Sequence, residues 1–310
     1  MSEKKKIDVA VVGVGPAGIS SSIYLKRAGH SILLFERNKP GGLLRNANLV
    51  ENYPGFPGGI SGKDLSALMK RQAENLGIRI IKNEVKSVGI DNDGSFVMAV
   101  DRKKIGAASV IIATGTKPKA IKLNGIERIK NRIYFEVADI PAAKISGKRF
   151  AVIGGGDAAF DYSLFIHAHG GKPVILMQSR PKCLPLLLER ADEKKILHFK
   201  NTTPSAVCLD KGGIVVNCHS AEREMEIKSD YLLVACGREP AIPAFDKTIE
   251  NRLRGWRGIV ETPVPGLFFA GDVMRGRFRQ AGIAVGDGIR AAMLADEYLR
   301  KKRRQDGCYR

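Results

Sequence analysis

The residues best suited to chemistry lie in a run of glycines near the start of the chain, Gly13-Val14-Gly15-Pro16-Ala17-Gly18, and in an acid eighteen positions further on, Glu36. Such a turn holds a dinucleotide. The first glycine bends the chain, the second lets backbone N–H groups approach a pyrophosphate, and the third lets a helix pack closely on the strand before it. An acid at the tip of the next strand accepts the ribose hydroxyls. The elements that must position these residues are present: Ile7–Val12 reads as a strand, Ile19–Ala28 as a helix, and Ile32–Phe35 as a second strand ending on Glu36.

The same grammar returns at Phe150. Phe150–Ile153 reads as a strand, Gly154-Gly155-Gly156-Asp157-Ala158-Ala159 as a second glycine turn, Phe160–His169 as a helix and Val174–Met177 as a strand. Each copy then carries a small antiparallel meander. In the first it is Ser87–Ile90, Ser95–Val100 and Lys104–Ser109, with a tight turn at Asp93-Gly94; in the second it is Ala206–Leu209, Ile214–Cys218 and Met225–Ile227. Each closes on a buried strand and a glycine, at Val110–Gly115 and Tyr231–Gly237. In the first copy a proline- and glycine-rich loop, Pro40–Gly59, precedes a helix at Ser61–Leu76 and a third parallel strand at Ile78–Val85. Loops of that length inside a domain are usually functional.

Residues 241–310 begin no third copy. They hold a strand that ends on Gly271-Asp272, then Arg279-Gln280-Ala281 and a helix over Gly282–Arg300. A strand, loop and helix cannot make a sheet alone, so they are expected to complete the first module. The expected fold class is therefore α/β, with two Rossmann-like dinucleotide-binding domains, each with a meander, the second inserted in the first. The predicted division is 1–117 with 241–310 for one domain and 118–240 for the other, with hinges near 116–120 and 238–243.

Composition narrows the class. With 44% hydrophobic residues, 27% charged and 34 glycines, the chain is that of a globular α/β enzyme. Met1–Lys6 leads into a strand with no signal-like segment, and no apolar stretch is long enough to span a bilayer, so a cytoplasmic location without membrane association is expected. The five cysteines, at 183, 208, 218, 236 and 308, are scattered and form no CxxC, so neither a disulfide framework nor a metal site is indicated. The formal net charge of +19 favours acidic partners, while no nucleic-acid-reading motif is present.

The combination VGPAG, PGG, VENYPGFP, ATG, GGGDAA, AGDV and RQA resembles the low-molecular-weight thioredoxin reductase family of flavoproteins, over nearly the whole chain. The resemblance implies FAD in the first module and a pyridine nucleotide in the second, in a homodimer. It implies that Gly13, Gly15, Pro16, Ala17 and Gly18 cradle the FAD pyrophosphate, with Glu36 and Arg37 at the adenosine. Gly42, Leu43, Asn52, Val85, Ala113, Thr114 and Gly115 would border the same cofactor. Gly271 and Asp272 would hold the ribitol, an assignment that also suits an acid placed after a short strand, and Arg279, Gln280 and Ala281 would line the isoalloxazine. Gly154, Gly156, Asp157, Ala158, Ser179, Arg180, Gly237 and Arg238 would form the nucleotide site.

Two departures matter. Where the family carries its redox CxxC and an acid, this chain reads Val137-Ala138-Asp139-Ile140 and then Pro141, so no dithiol is available there and no catalytic side chain is assigned. At the tip of the second module's second strand stand Ser179 and Arg180 in place of a His-Arg-Arg run. With no acid for a 2′-hydroxyl, NADPH is expected ahead of NADH, and a module without nucleotide is the third alternative. The reading that follows is an FAD-dependent oxidoreductase passing electrons between NAD(P)H and an external acceptor such as an acidic ferredoxin or flavodoxin, similar to thioredoxin-reductase-type ferredoxin/flavodoxin–NADP reductases. The alternatives are a disulfide reductase using direct flavin reduction or an unusual cysteine such as Cys308, and a non-catalytic FAD-binding protein. Tyr309 is a candidate to stack on a flavin.

Overall fold

A computed structural model describes residues 7–220, 223–305 and 307. The chain runs β1 (Ile7–Val12), α1 (Pro16–Arg27), β2 (Ile32–Glu36), α2 (Gly62–Asn75), β3 (Ile80–Lys82), β4 (Val85–Ile90), β5 (Phe96–Val100), β6 (Lys103–Ile112) and β7 (Thr116–Pro118). It continues with β8 (Ile133–Tyr134), β9 (Arg149–Ile153), α3 (Asp157–Ala168), β10 (Lys172–Leu176), α4 (Pro185–Glu193), β11 (Leu197–Phe199), β12 (Thr202–Asp210), β13 (Gly213–Ser220), β14 (Glu224–Ser229), β15 (Tyr231–Val234) and β16 (Arg238–Pro240). Last come β17 (Ala244–Phe245), α5 (Lys247–Arg252), β18 (Leu267–Phe269) and α6 (Ala281–Gln305).

The first sheet runs β17-β4-β5-β6-β1-β2-β3, and β18 pairs with β6 off that path. The strand β18 thus returns to the first sheet, parallel to β6 with Leu267 opposite Val110 and Phe269 opposite Ile112. The second sheet, β11-β10-β9-β15-β8, is parallel throughout. Their inward faces are continuous apolar runs, as strands covered on both sides must be: Val9, Ala10, Val11, Val110 and Ile111 in one and Phe150, Ala151, Val152 and Leu232 in the other are fully buried. Between the sheets β7 and β16 pair antiparallel, Thr116 opposite Pro240, where the two hinges are expected.

Three details differ from the sequence expectation. The meander strand Lys104–Ser109 and the closing strand Val110–Gly115 are one strand, β6, whose first half pairs antiparallel with β5 and whose second half pairs parallel with β1 and β18. Only the second meander, β12-β13-β14, stands as a sheet of its own. Both helices after the glycine turns begin earlier than expected, α1 at Pro16 and α3 at Asp157, because proline and aspartate both suit a first helical turn. Helix α2 has the expected cap: the Ser61 side chain accepts from the Asp64 amide at 3.0 Å.

Candidate active site

A cleft of about 970 Å³ opens at the carboxyl ends of β1, β2, β6 and β18, where a doubly wound sheet binds its ligand. One wall is the first glycine turn. Gly13 has φ +107°, and a methyl group there would overlap the Ala113 carbonyl, so only glycine brings the backbone this close. Gly15, Pro16 and Ala17 line the cleft. Gly18 lies behind it, with its α-carbon against the Gly13 carbonyl. Glu36 stands at the tip of β2 as the spacing requires. Its carboxylate accepts from the Val14 amide at 2.9 Å and from the Asn38 amide at 2.9 Å, which fixes it against the turn.

The expected FAD residues converge with few exceptions. Arg37, Gly42, Leu43, Asn52, Ala113, Thr114 and Gly115 line the cleft, as do Asp272, Arg279, Gln280 and Ala281. Asn52 and Gln280, 228 residues apart, are hydrogen-bonded at 2.9 Å. Val85 instead lines a smaller neighbouring pocket beside Glu36 and Arg37, and Gly271 supports Asp272 from beneath, packed on Ala17. Burial pushes the Asp272 carboxyl up, opposed by the Arg279 and Arg238 guanidinium groups. Asp287 on α6 accepts from the Gly271 amide and is clamped by Arg275, with Arg275 Nε to Asp287 Oδ2 at 2.8 Å. That clamp holds the Gly271-Asp272 turn in place.

The opposite wall comes from the second sheet and its connections. Asp157 and Ala158 at the start of α3, with Asp161 and Tyr162 one turn on, face the first glycine turn across the cleft. Glu136 is the hub of this wall. It accepts from Asn46 Nδ2 at 2.8 Å and Tyr162 Oη at 3.2 Å and pairs with Arg238 at 2.7 Å, while Arg238 also donates to Thr116 Oγ1 at 2.8 Å and to the Thr116 carbonyl at 2.9 Å. Asn46 Oδ1 accepts from the Ala138 amide at 3.0 Å. Burial, and then the charge on Glu136, push the Tyr162 phenol far up, so it acts here as a hydrogen-bond donor. Asp161 accepts from the Asn48 amide at 2.8 Å, and burial pushes its carboxyl up to about 6. Arg190 grips Glu51 with two bonds of 2.6 and 2.8 Å.

Of the expected nucleotide-site residues, Asp157, Ala158 and Arg238 line this shared cleft, whereas Gly154, Gly156, Ser179, Arg180 and Gly237 do not. Ser179 is half-buried and Arg180 exposed at the end of β10. The Asp157 carboxylate accepts from the Leu184 amide at 2.8 Å, tying the loop after β10 to the start of α3.

Residues 7–288 match the pyridine nucleotide-disulphide oxidoreductase family as one stretch. The chain belongs to that family. Within it the chain is thioredoxin reductase-like, an FAD-dependent NAD(P)H oxidoreductase. It is 32% identical over 308 residues to thioredoxin reductase of Bacillus subtilis, covering 96% of each chain. It is 30% identical to a "34.2 kDa protein in rubredoxin operon" of Clostridium pasteurianum, covering 96% of this chain and 99% of that one. The crystal structure of Lactococcus lactis thioredoxin reductase in its FR conformation superposes with a TM-score of 0.85 at 27% identity, covering 96% of this chain and all of the other.

The cleft of this oxidoreductase suits a large polar cofactor. Two side-chain atoms in its wall, Thr114 Oγ1 and Arg279 Nε, are buried with no hydrogen-bond partner among the described residues, an arrangement that is costly until a ligand satisfies it. No sulfur lines the cleft among the described residues. Val137 and Ile140 are buried in the apolar core beneath the second sheet, and Asp139 sits at the cleft rim, 3.7 Å from Arg45. Burial raises the thiols of Cys183 and Cys236 and takes that of Cys218 to about 11, the opposite of what a redox centre needs. Cys308 and Tyr309 lie outside the described residues. Sequence reasoning missed Glu136, Asn46, Asp161 and Tyr162; no local motif marks them, since each is placed by partners remote in sequence.

Proposed function

We propose that this oxidoreductase passes electrons from NADPH, through FAD held in the shared cleft, to an external carrier protein, with no dithiol of its own. The observation that supports this best is that both glycine-turn helices, α1 and α3, present their first residues to one cleft that no described cysteine lines. The balance is simple: one NADPH, oxidised to NADP⁺ and a proton, reduces two equivalents of a one-electron carrier. When bound, the flavin supplies the exchange between two-electron and one-electron chemistry. The chain's own residues bind and orient. Gly13–Ala17 receive the pyrophosphate on backbone N–H groups, Glu36 the adenosine ribose, Asp272 the ribitol, and Arg279 and Gln280 border the ring system. The Glu136–Arg238–Tyr162 cluster ties the start of α3 to Glu136 and Arg238 in the wall of the cleft.

The division 1–117 with 241–310 as FAD domain and 118–240 as nucleotide domain belongs to the same reading, and so does a homodimer. Half-buried Ser179 and exposed Arg180, just past the end of β10, form the 2′-phosphate site. A direct test is to reduce the purified flavoprotein anaerobically with NADPH or NADH, then offer ferredoxin, flavodoxin and thioredoxin. NADPH with ferredoxin or flavodoxin is the expected pair. Turnover of thioredoxin alone would refute the external-carrier reading in favour of direct disulfide reduction, which the identity to Bacillus subtilis thioredoxin reductase favours as the second reading. Arg180→Ala should raise KM for NADPH far more than for NADH, and equal effects would sink the 2′-phosphate assignment.

A further inference from the structure

The positive charge of the chain is paired in one place and bare in another. Along α6 three of the five basic residues from 300 to 304 are paired: Arg300 with Asp296 at 2.9 Å, Lys301 with Glu297 at 2.6 Å and Arg303 with Asp8 at 2.7 Å. By contrast Arg252, Arg254, Arg257 and Arg277 are exposed and have no ion-pair partner among the described residues.

These four arginines lie on two segments that touch. Gly258 adopts φ +71°, and its α-carbon faces the Met274 carbonyl so closely that a methyl group would come within 3.1 Å of it. Trp256 anchors the first segment by packing on Phe269, ring centroids 4.6 Å apart, and by donating to the Glu261 carbonyl at 3.1 Å. The second segment is fixed by the Arg275–Asp287 clamp and by a turn in which the Phe278 amide donates to the Arg275 carbonyl at 2.9 Å. On these rigid supports Ile259 is 58% exposed and Phe278 63%, the most exposed large apolar side chain among the described residues. The Arg277 guanidinium lies 4.9 Å from the centre of the Phe278 ring.

We propose that this lip, the touching segments that carry Phe278 and Ile259 with Arg252, Arg254, Arg257 and Arg277, is the docking surface for a small acidic electron-carrier protein. It rests on the external-carrier reading above. Its position suits electron delivery: Arg279 and Gln280, which directly follow Phe278, line the cleft, so a carrier seated on Phe278 is within about 7 Å of chain from the cleft wall. Its chemistry suits a partner that must leave after each turnover. Electron-transfer encounters are small, charges at a rim set the association rate and its salt dependence, and a single aromatic supplies the anchor. Four exposed, unpaired cations on this lip select an acidic surface, and no nucleic-acid-reading motif accompanies them.

The test uses the full-length, FAD-loaded protein and its flavin-free form. Binding of oxidised flavodoxin is measured by calorimetry at low and moderate salt, and NADPH-driven reduction is followed with flavodoxin and with a small dye, dichlorophenolindophenol. Arg254→Glu/Arg257→Glu/Arg277→Glu should weaken flavodoxin binding at least tenfold at low salt in both forms and clearly reduce its salt dependence, with dye reduction unchanged. Phe278→Ser should weaken binding with the salt dependence intact, and Arg277→Glu alone gives a smaller shift in the same sense should the triple variant fold poorly. Unchanged flavodoxin binding and reduction in the variants overturns the docking surface alone. A wild-type protein that reduces the dye but neither binds nor reduces flavodoxin or ferredoxin overturns the external-carrier reading and this proposal with it. A change of oligomeric state in the variants assigns the lip to a second copy of the chain, and displacement of flavodoxin by a duplex oligonucleotide assigns it to nucleic acid; either result overturns the proposal.

Discussion

Replacing Asp161 with asparagine should make the protein more stable at neutral pH. The carboxyl is pushed by burial from 3.8 to about 6, opposed by hydrogen bonds from the Asn48 and Leu49 amides. Because the folded-state value lies above the unfolded one, the folded protein holds more protons between the two. The group's contribution is most favourable below about pH 4 and is lost as pH rises through about 6. A difference of about two units corresponds to about 3 kcal/mol. Water reaches one side of this half-buried group, which reduces the expected cost of its charge to about 1–2 kcal/mol. Asparagine keeps an oxygen that can accept from the Asn48 amide and removes the charge. Urea unfolding of the flavin-free protein, followed by fluorescence at several pH values between 4 and 8, reads the difference directly. The midpoint of the variant should exceed that of the wild type at pH 8 and fall to meet it near pH 4. A variant that is less stable at pH 8, or whose midpoint follows the wild-type pH profile, refutes the reasoning and shows that the amide bonds outweigh the burial.

Other perturbations test other parts of the site. Gly13→Ala should purify without visible flavin absorbance, because its methyl group meets the Ala113 carbonyl; a fully yellow variant would show that the turn can shift. Arg238→Ala leaves the Glu136 charge facing Asn46 and Tyr162, and a double-mutant cycle with Glu136→Gln should give a coupling of about 1–3 kcal/mol, with zero coupling refuting the hub. The Asp8 carboxylate, 3.8 Å from one ring nitrogen, and the 2.8 Å bond from the other to Asp296 raise the pKa of buried His30, so their stabilising effect is complete below about pH 6.5 and fades as pH rises through the folded value. His30→Gln should therefore flatten the decline of Tm above neutrality, and an unaltered slope would refute the pairing. Replacing Cys183, Cys208 and Cys236 together by serine should leave NADPH-driven dye reduction unchanged, and a tenfold loss would restore a thiol mechanism.

What the sequence exposed was whatever depends on neighbours along the chain. The glycine turns, the acid at the tip of β2 and the Ser61 cap are local, and all three stand as their spacing requires. The division of β6 into two strands failed because one extended stretch changes partners at Ala107 without changing conformation, and hydropathy records burial, not partner. Helix α4 has no counterpart in the sequence reading; Leu184, Leu186 and Leu187 form a short apolar run there in which helical periodicity has no room to show. The wall built on Glu136 was hidden for the same reason: Asn46 and Glu136 are 90 residues apart, and Asn48 and Asp161 are 113 apart.

The return of β18 to β6 sets an order of assembly. The strands β8 to β15 lie within one uninterrupted stretch, so that sheet can close while the rest of the chain is still emerging from the ribosome. The sheet that begins at Ile7 must wait, because the second half of β6, already paired with β1, lacks its other parallel neighbour until Leu267–Phe269 has been made, and α1 lacks its main packing partner until α6 follows. The middle of this protein is thus positioned to fold before its beginning is complete, and the second half of β6 spends the longest time with an edge exposed to chaperones and to other chains.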